Sequence, residues 1–180
     1  GRFVVFLSNG ALVPDDTNGR ADIYVRDRLD GTTERVSVDS AGNERVGFST
    51  VPRISGGGRY VAFLSQASFV PEDANSSLDV YRHDRLTGQT DLVSVNLSGQ
   101  APAQGANGRL DISADGRWVV FSSTANSITA EENGHRSIFV RDMEVDVTTL
   151  VSINRLGNAA NHRSDLPGIS EDGRYICFNS

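Results

Sequence analysis

The stretch GRYVAFLSQASFVPEDANSSLDVYRHDRLTGQTDLVSV, residues 58–95, stands almost unchanged at residues 1–38 as GRFVVFLSNGALVPDDTNGRADIYVRDRLDGTTERVSV. Residues 1–43 and 58–100 share 21 identities in 43 positions. A looser copy occupies residues 116–153, and a fourth opens at Gly173. The Gly-Arg pairs that begin the copies, at Gly1, Gly58, Gly116 and Gly173, are 57, 58 and 57 residues apart. A fixed period of this length means one structural unit stacked several times, each copy burying a face against its neighbour that it cannot bury alone.

Each period holds four short strand patterns, and no segment has helical periodicity. The first pattern covers residues 51–55, 110–113 and 166–170. A tight Gly-bearing turn follows, Gly56-Gly57 in one copy, Ala114-Asp115-Gly116 and Glu171-Asp172-Gly173 in the others. The second pattern, residues 3–7, 60–64, 118–121 and 175–178, is apolar on both faces, which predicts sheets covered on both sides. The third covers residues 22–27, 79–84 and 137–142, and the fourth residues 35–38, 92–95 and 150–153. Between them lie Leu29-Asp30-Gly31-Thr32 and Leu86-Thr87-Gly88-Gln89, where Gly supplies a positive φ. The third copy has Glu144-Val145-Asp146-Val147 there, without Gly, which predicts a different turn.

These patterns predict an all-β chain, a β-propeller made of four-stranded antiparallel blades. The count of strands gives about three blades' worth of an incomplete ring, in one domain over residues 1–180. The repeat units are residues 1–57, 58–115 and 116–172, with the start of a fourth at 173–180. The first and last residues fall in mid-repeat, so the sequence reads as a piece of a longer chain whose remaining blades complete the ring. Loops at residues 9–21, 66–78 and 124–136, and at 39–50 and 96–108, are long, and a meander puts them all at one end of the blades. Irregular surface of that kind is where binding function resides.

The residues Ile112-Ser113-Ala114-Asp115-Gly116-Arg117-Trp118 and Ile169-Ser170-Glu171-Asp172-Gly173-Arg174-Tyr175 carry a resemblance. With the Phe-containing strand and the Asp-Ile-Tyr-Val-Arg-Asp strand, they resemble the TolB-type, WD-repeat-like propeller repeat of bacterial proteins. The resemblance covers nearly the whole chain. It implies a propeller fold, a scaffold for binding or a part of an enzyme, and a periplasmic or extracellular location.

Of 180 residues, 38% are apolar and 22% charged, and the net charge is −6. No run approaches the roughly 18 apolar residues of a membrane helix. The acidic balance argues against a general nucleic-acid binder and is compatible with cation binding. The single cysteine, Cys177, lies in an apolar strand pattern and reads as a small buried side chain.

The sharpest polar recurrence is Asp16-x-Asn18-x-x-x-Asp22, repeated as Asp73-x-Asn75-x-x-x-Asp79 and, more loosely, as Glu131, Asn133 and Ser137. Two carboxylates and an amide oxygen supply part of the six to eight oxygens that calcium takes, so calcium is the candidate cofactor of these loops. The same residue types also fold loops through Asx turns. Asp27, Asp84 and Asp142 recur at the end of the third strand and read as structural acids, paired with a basic residue or bonded to a turn. Arg2, Arg59, Arg117 and Arg174 read as their partners or as snorkelling side chains. His83, His135 and His162 show no metal spacing, although His135 and His162 fall in long loops of the same face. Phe48, His135 and His162 break the repeat, and a unique site belongs at such positions. No nucleophile motif, phosphate loop or cysteine pair is present. The resulting expectation is a non-catalytic module that recognises a protein, peptide or glycan through the long-loop face, without nucleic acid or a membrane span. The alternative is the propeller part of a larger hydrolase or lyase.

Overall fold

The computed structural model describes every residue except Glu132 and Asn133. Thirteen strands are present among the described residues, and no helix. β1 (Phe3–Ser8), β2 (Asp22–Asp27) and β3 (Thr32–Arg35) form one antiparallel sheet. β4 (Ser49–Ile54), β5 (Tyr60–Ser65), β6 (Asp79–Asp84) and β7 (Thr90–Leu92) form a second, in that order. β8 (Ala106–Ile112), β9 (Trp118–Ser123), β10 (Ser137–Asp142) and β11 (Val147–Leu150) form a third. β12 (Asp165–Ile169) and β13 (Ile176–Asn179) begin a fourth. Each sheet is a meander, and the first strands of the last three sheets, β4, β8 and β12, are supplied by the end of the preceding sequence repeat.

The sheets stack face to face around three apolar layers. Ile23, Val25, Val61, Phe63 and Tyr81 fill the layer between the first and second sheets. Ala62, Leu64, Leu110, Phe121 and Phe139 fill the next, and Val120, Ile138 and Ile176 the last. β5 therefore sends Val61 and Phe63 one way and Ala62 and Leu64 the other, as a strand of period two between two covers must. β1 and β13 have the same apolar pattern but stand in sheets covered on one side only, so Val4 and Tyr175 are exposed.

The fourth strands lie about three residues earlier than the sequence patterns placed them. Val36, Val38 and Val93 are buried and Val95 half-buried, with buried Ser37 and Ser94 between them, but they lie past the ladder. The turn before β11 is also not different in kind. Asp146 takes the left-handed conformation (φ 57°) held by Gly31 (68°) and Gly88 (79°). Asp is among the few non-Gly residues that enter that region at modest cost. Cys177 is exposed rather than buried, because its side of β13 has no covering sheet.

An aromatic ladder joins the blades at their tight-turn end. Phe3, Tyr60 and Trp118 each press on the turn glycine of the following sheet, Gly58, Gly116 and Gly173. A Cβ on Gly116 would stand 2.0 Å from the Tyr60 ring. Arg2, Arg59 and Arg117 lie over the same three rings at 4.7–4.9 Å. Inside the ladder, backbone bonds link successive turns, Gly56 N–H to Ala114 O at 3.1 Å and Ala114 N–H to Glu171 O at 2.9 Å.

Candidate functional site: the long-loop face

The two sets of long loops meet at one end of the blades. Thr17 and Asn18 donate backbone N–H bonds to Glu44, and Asn75 donates its side-chain amide to Pro102 O at 3.0 Å. Backbone bridges from Ser49 to Ala21, Ala106 to Leu78 and Ser164 to Arg136 repeat the junction in each unit.

In the first unit Tyr24 donates its hydroxyl to Asp16, and Asp22 accepts from Ser37 (2.6 Å) and the Asn18 amide (3.1 Å). The second unit repeats this. Tyr81 donates to Asp73, and Asp79 accepts from Ser94 (2.8 Å) and Asn75 (2.8 Å). The Asn18 carbonyl takes the Arg20 N–H at 2.7 Å, and that of Asn75 takes the Ser77 N–H at 2.6 Å. Those backbone donors turn each amide so that its nitrogen, not its oxygen, faces the acid. All four acids are buried. Burial pushes the Asp79 carboxyl up to about 6, against the pull of Asn75 and Ser94, and raises Asp22 in the same direction. Burial, followed by the hydrogen bond to the neighbouring acid, lifts the Tyr24 and Tyr81 phenols above their usual range. A cation entering either loop would take carboxylate oxygens from these donors and would need the amide reversed. In the third unit Phe139 replaces the tyrosine, Glu131 is exposed, and Ser137 replaces the second acid. Asn133 lies outside the described residues.

At the opposite end, the recurring acids are paired as the sequence suggested. Asp84 accepts Arg59 through two bonds (2.9 and 2.7 Å) and caps the Leu86 N–H (3.0 Å). Asp27 does the same with Arg2 and Leu29, and Asp142 with Arg117 and Glu144. The guanidinium holds each of these carboxyls well below the usual range. Arg174 instead lies over Tyr175, 5.3 Å from the ring centroid. His83 is buried, with Nδ1 2.9 Å from Thr90 Oγ1, and burial lowers its pKa.

Two features were missed in the sequence. Asp39, Asn96 and Asn154, spaced 57 and 58 residues apart, each fold a loop by accepting two backbone N–H bonds, as Asn96 does from Ser98 (2.8 Å) and Gln100 (3.1 Å). Their Asp/Asn-x-x-Gly spacing is a legible signal. Arg35 is a buried guanidinium bonded to Glu44 (2.8 Å) and Asp15 (3.1 Å). The other units have Leu92 and Leu150 at that place, a break in the repeat that marks it. The repeat-breaking residues Phe48, His135 and His162 are all exposed, and the two imidazoles stand 6.2 Å apart between ring centroids. Among the described residues, no group of three or more His, Cys, Asp or Glu side chains is arranged to hold a metal ion.

No family model matches the chain, and no curated protein matches it in sequence. Solved structures do match. TolB from Acinetobacter baumannii superposes with a TM-score of 0.58 at 17% identity, over 98% of this chain and 34% of that one. A putative TolB from Agrobacterium tumefaciens gives 0.59 at 15%, over 99% and 50%. The fold is that of the TolB-type β-propellers. The chain thus spans about a third to a half of these TolB structures, and its sheets do not close a ring. The tricorn protease also matches, with a TM-score of 0.60 at 14% identity over 98% of this chain and 14% of that one. A TolB-type propeller therefore stands in proteins of different kinds, and the fold alone names no reaction.

Proposed function

We propose that this propeller segment is a non-catalytic binding module that takes a protein, peptide or glycan on its long-loop face, in the periplasm or outside the cell. One observation carries the reading. The recurring acids Asp27, Asp84 and Asp142 are spent on Arg2, Arg59 and Arg117, whereas residues that differ between units, including Phe48, His135, His162 and Arg163, are exposed on the loop face. The alternative, the propeller part of a larger hydrolase or lyase, draws on the likeness to the tricorn protease.

The test is to probe the immobilised chain with glycan and peptide arrays. Capture lost in Phe48→Ala or Arg163→Ala and kept in Leu86→Ala, at a tight turn of the opposite face, fits the proposal. Loss only in Leu86→Ala overturns it, and turnover of a captured ligand moves the assignment to the enzyme. Calcium enters as a ligand competing with the hydrogen bonds of the Asp16-Asn18-Asp22 and Asp73-Asn75-Asp79 loops. A Tm several degrees higher in calcium than in chelator assigns those loops to the ion, and equal Tm values assign them to the hydrogen bonds.

A further inference from the structure

The third blade differs from the others where its two long loops meet. The backbone bridges Ser49–Ala21, Ala106–Leu78 and Ser164–Arg136 are equivalent, with N···O distances of 2.7, 2.6 and 2.8 Å. Counting from them, the paired loop positions hold Arg20 and Gly47 in the first unit and Ser77 and Gln104 in the second. In the third they hold His135 and His162. The two rings are exposed, 6.2 Å apart between centroids and inclined by 30°.

We propose that His135 and His162 form a two-imidazole site for a late first-row divalent ion of the Zn²⁺ or Ni²⁺ type. At about 2.0–2.1 Å per metal–nitrogen bond, two imidazoles sharing an ion stand with centroids roughly 5–6 Å apart. The observed 6.2 Å separation lies within about an ångström of that range. The backbone beneath them is already fixed. The Ser164–Arg136 bridge ties the two segments, and Asp165 accepts Arg136 (2.8 Å) and Arg163 from both sides of it. A held scaffold is what a metal site requires of its support. The donor set selects the ion, because imidazole nitrogen suits Zn²⁺, Ni²⁺ and Cu²⁺, whereas Ca²⁺ and Mg²⁺ take oxygen. The remaining coordination positions face solvent and are open to water or to a carboxylate.

The site lies on the loop face itself, and its test uses the ions alone, so its failure is distinguishable from failure of the binding reading. Titration calorimetry of the chain with ZnCl₂ or NiCl₂ is expected to show one saturable site, with none for CaCl₂ at these residues. His135→Ala and His162→Ala are each expected to weaken binding about tenfold or more. Both side chains are exposed, so circular dichroism should show an unchanged fold. Building the pair in the second blade, with Ser77→His and Gln104→His together, is expected to add a second site. Absence of saturable Zn²⁺ and Ni²⁺ binding, or binding untouched by both alanine variants, overturns the proposal.

Discussion

Tyr81 gives its hydroxyl to buried Asp73, while Phe139, at the same place in the third unit, has no hydroxyl to give. Tyr81→Phe therefore leaves one Asp73 oxygen without its donor. The expected loss is about 1–3 kcal/mol, the cost of an unsatisfied buried acceptor. Urea unfolding checks it, as a lower midpoint at unchanged slope. Asp79 sets a pH dependence of the opposite sign to most acids in the chain. Its folded pKa of about 6 lies above the ordinary carboxylate value, so the folded state holds the extra proton in between. Stability from this group is complete below pH 4 and falls as pH rises to 6. Asp27, Asp84 and Asp142, held low by arginines, contribute stability above pH 4 that is lost as pH falls further. Thermal melts across pH 3–8 are expected to flatten between pH 4 and 6 in Asp79→Ser, which copies Ser137 of the third unit. A slope kept in the variant would assign that limb to another group.

At the scale of elements, the aromatic ladder explains why the turn glycines are glycine. Gly116 and Gly99 have nearly equal left-handed φ values, 77° and 76°. A Cβ at Gly116 meets the Tyr60 ring at 2.0 Å, whereas nothing lies within 4 Å of one at Gly99. Gly99→Ala should cost only the backbone term, about 1–2 kcal/mol. Gly116→Ala should cost clearly more, since Tyr60 cannot retreat without leaving the Arg59 and Arg82 guanidiniums stacked on it. Equal losses for the two variants would mean that the ring yields freely. The innermost strands share a second device. Val51, Gly108 and Leu166 all have positive φ at the bulges of β4, β8 and β12. Val51 is β-branched, so its φ of 50° is strain held by the surrounding sheet. Pro52 and Pro167 stand within two of these bulges, on strands with one unpaired edge. Bulges and prolines are how such edges are kept from pairing further.

At the scale of the molecule, the outer sheets decide the behaviour of the chain in isolation. β1 has no strand on its inner side, and the last sheet stops after two strands. Val4, Leu7, Leu166 and Tyr175 are exposed on or beside those sheets. Unpaired strand edges next to apolar surface template association. Sedimentation velocity is expected to show concentration-dependent self-association, reduced in Val4→Lys with Tyr175→Glu. A single monomeric boundary at all concentrations would show that the open faces are tolerated in water.

The sequence alone determined the repeat, the strand order, the pairing of the recurring acids and the loop-rich end, because these follow from period and patterning that each unit carries within itself. It also pointed to His135 and His162 as breaks in the repeat. Only the tertiary structure decided which copies of the same strand are buried. Tyr60 and Tyr175 read alike, yet one lies on a neighbouring glycine and the other in solvent, since burial depends on the adjacent blade. The end of each fourth strand and the fate of Cys177 escaped for the same reason: apolar character marks what is fit for a core, and position in the stack settles whether a core is there. The structure likewise gave Asp16 and Asp73 their partners, because Tyr24 and Tyr81 reach them only once the loop has folded back over its own strand.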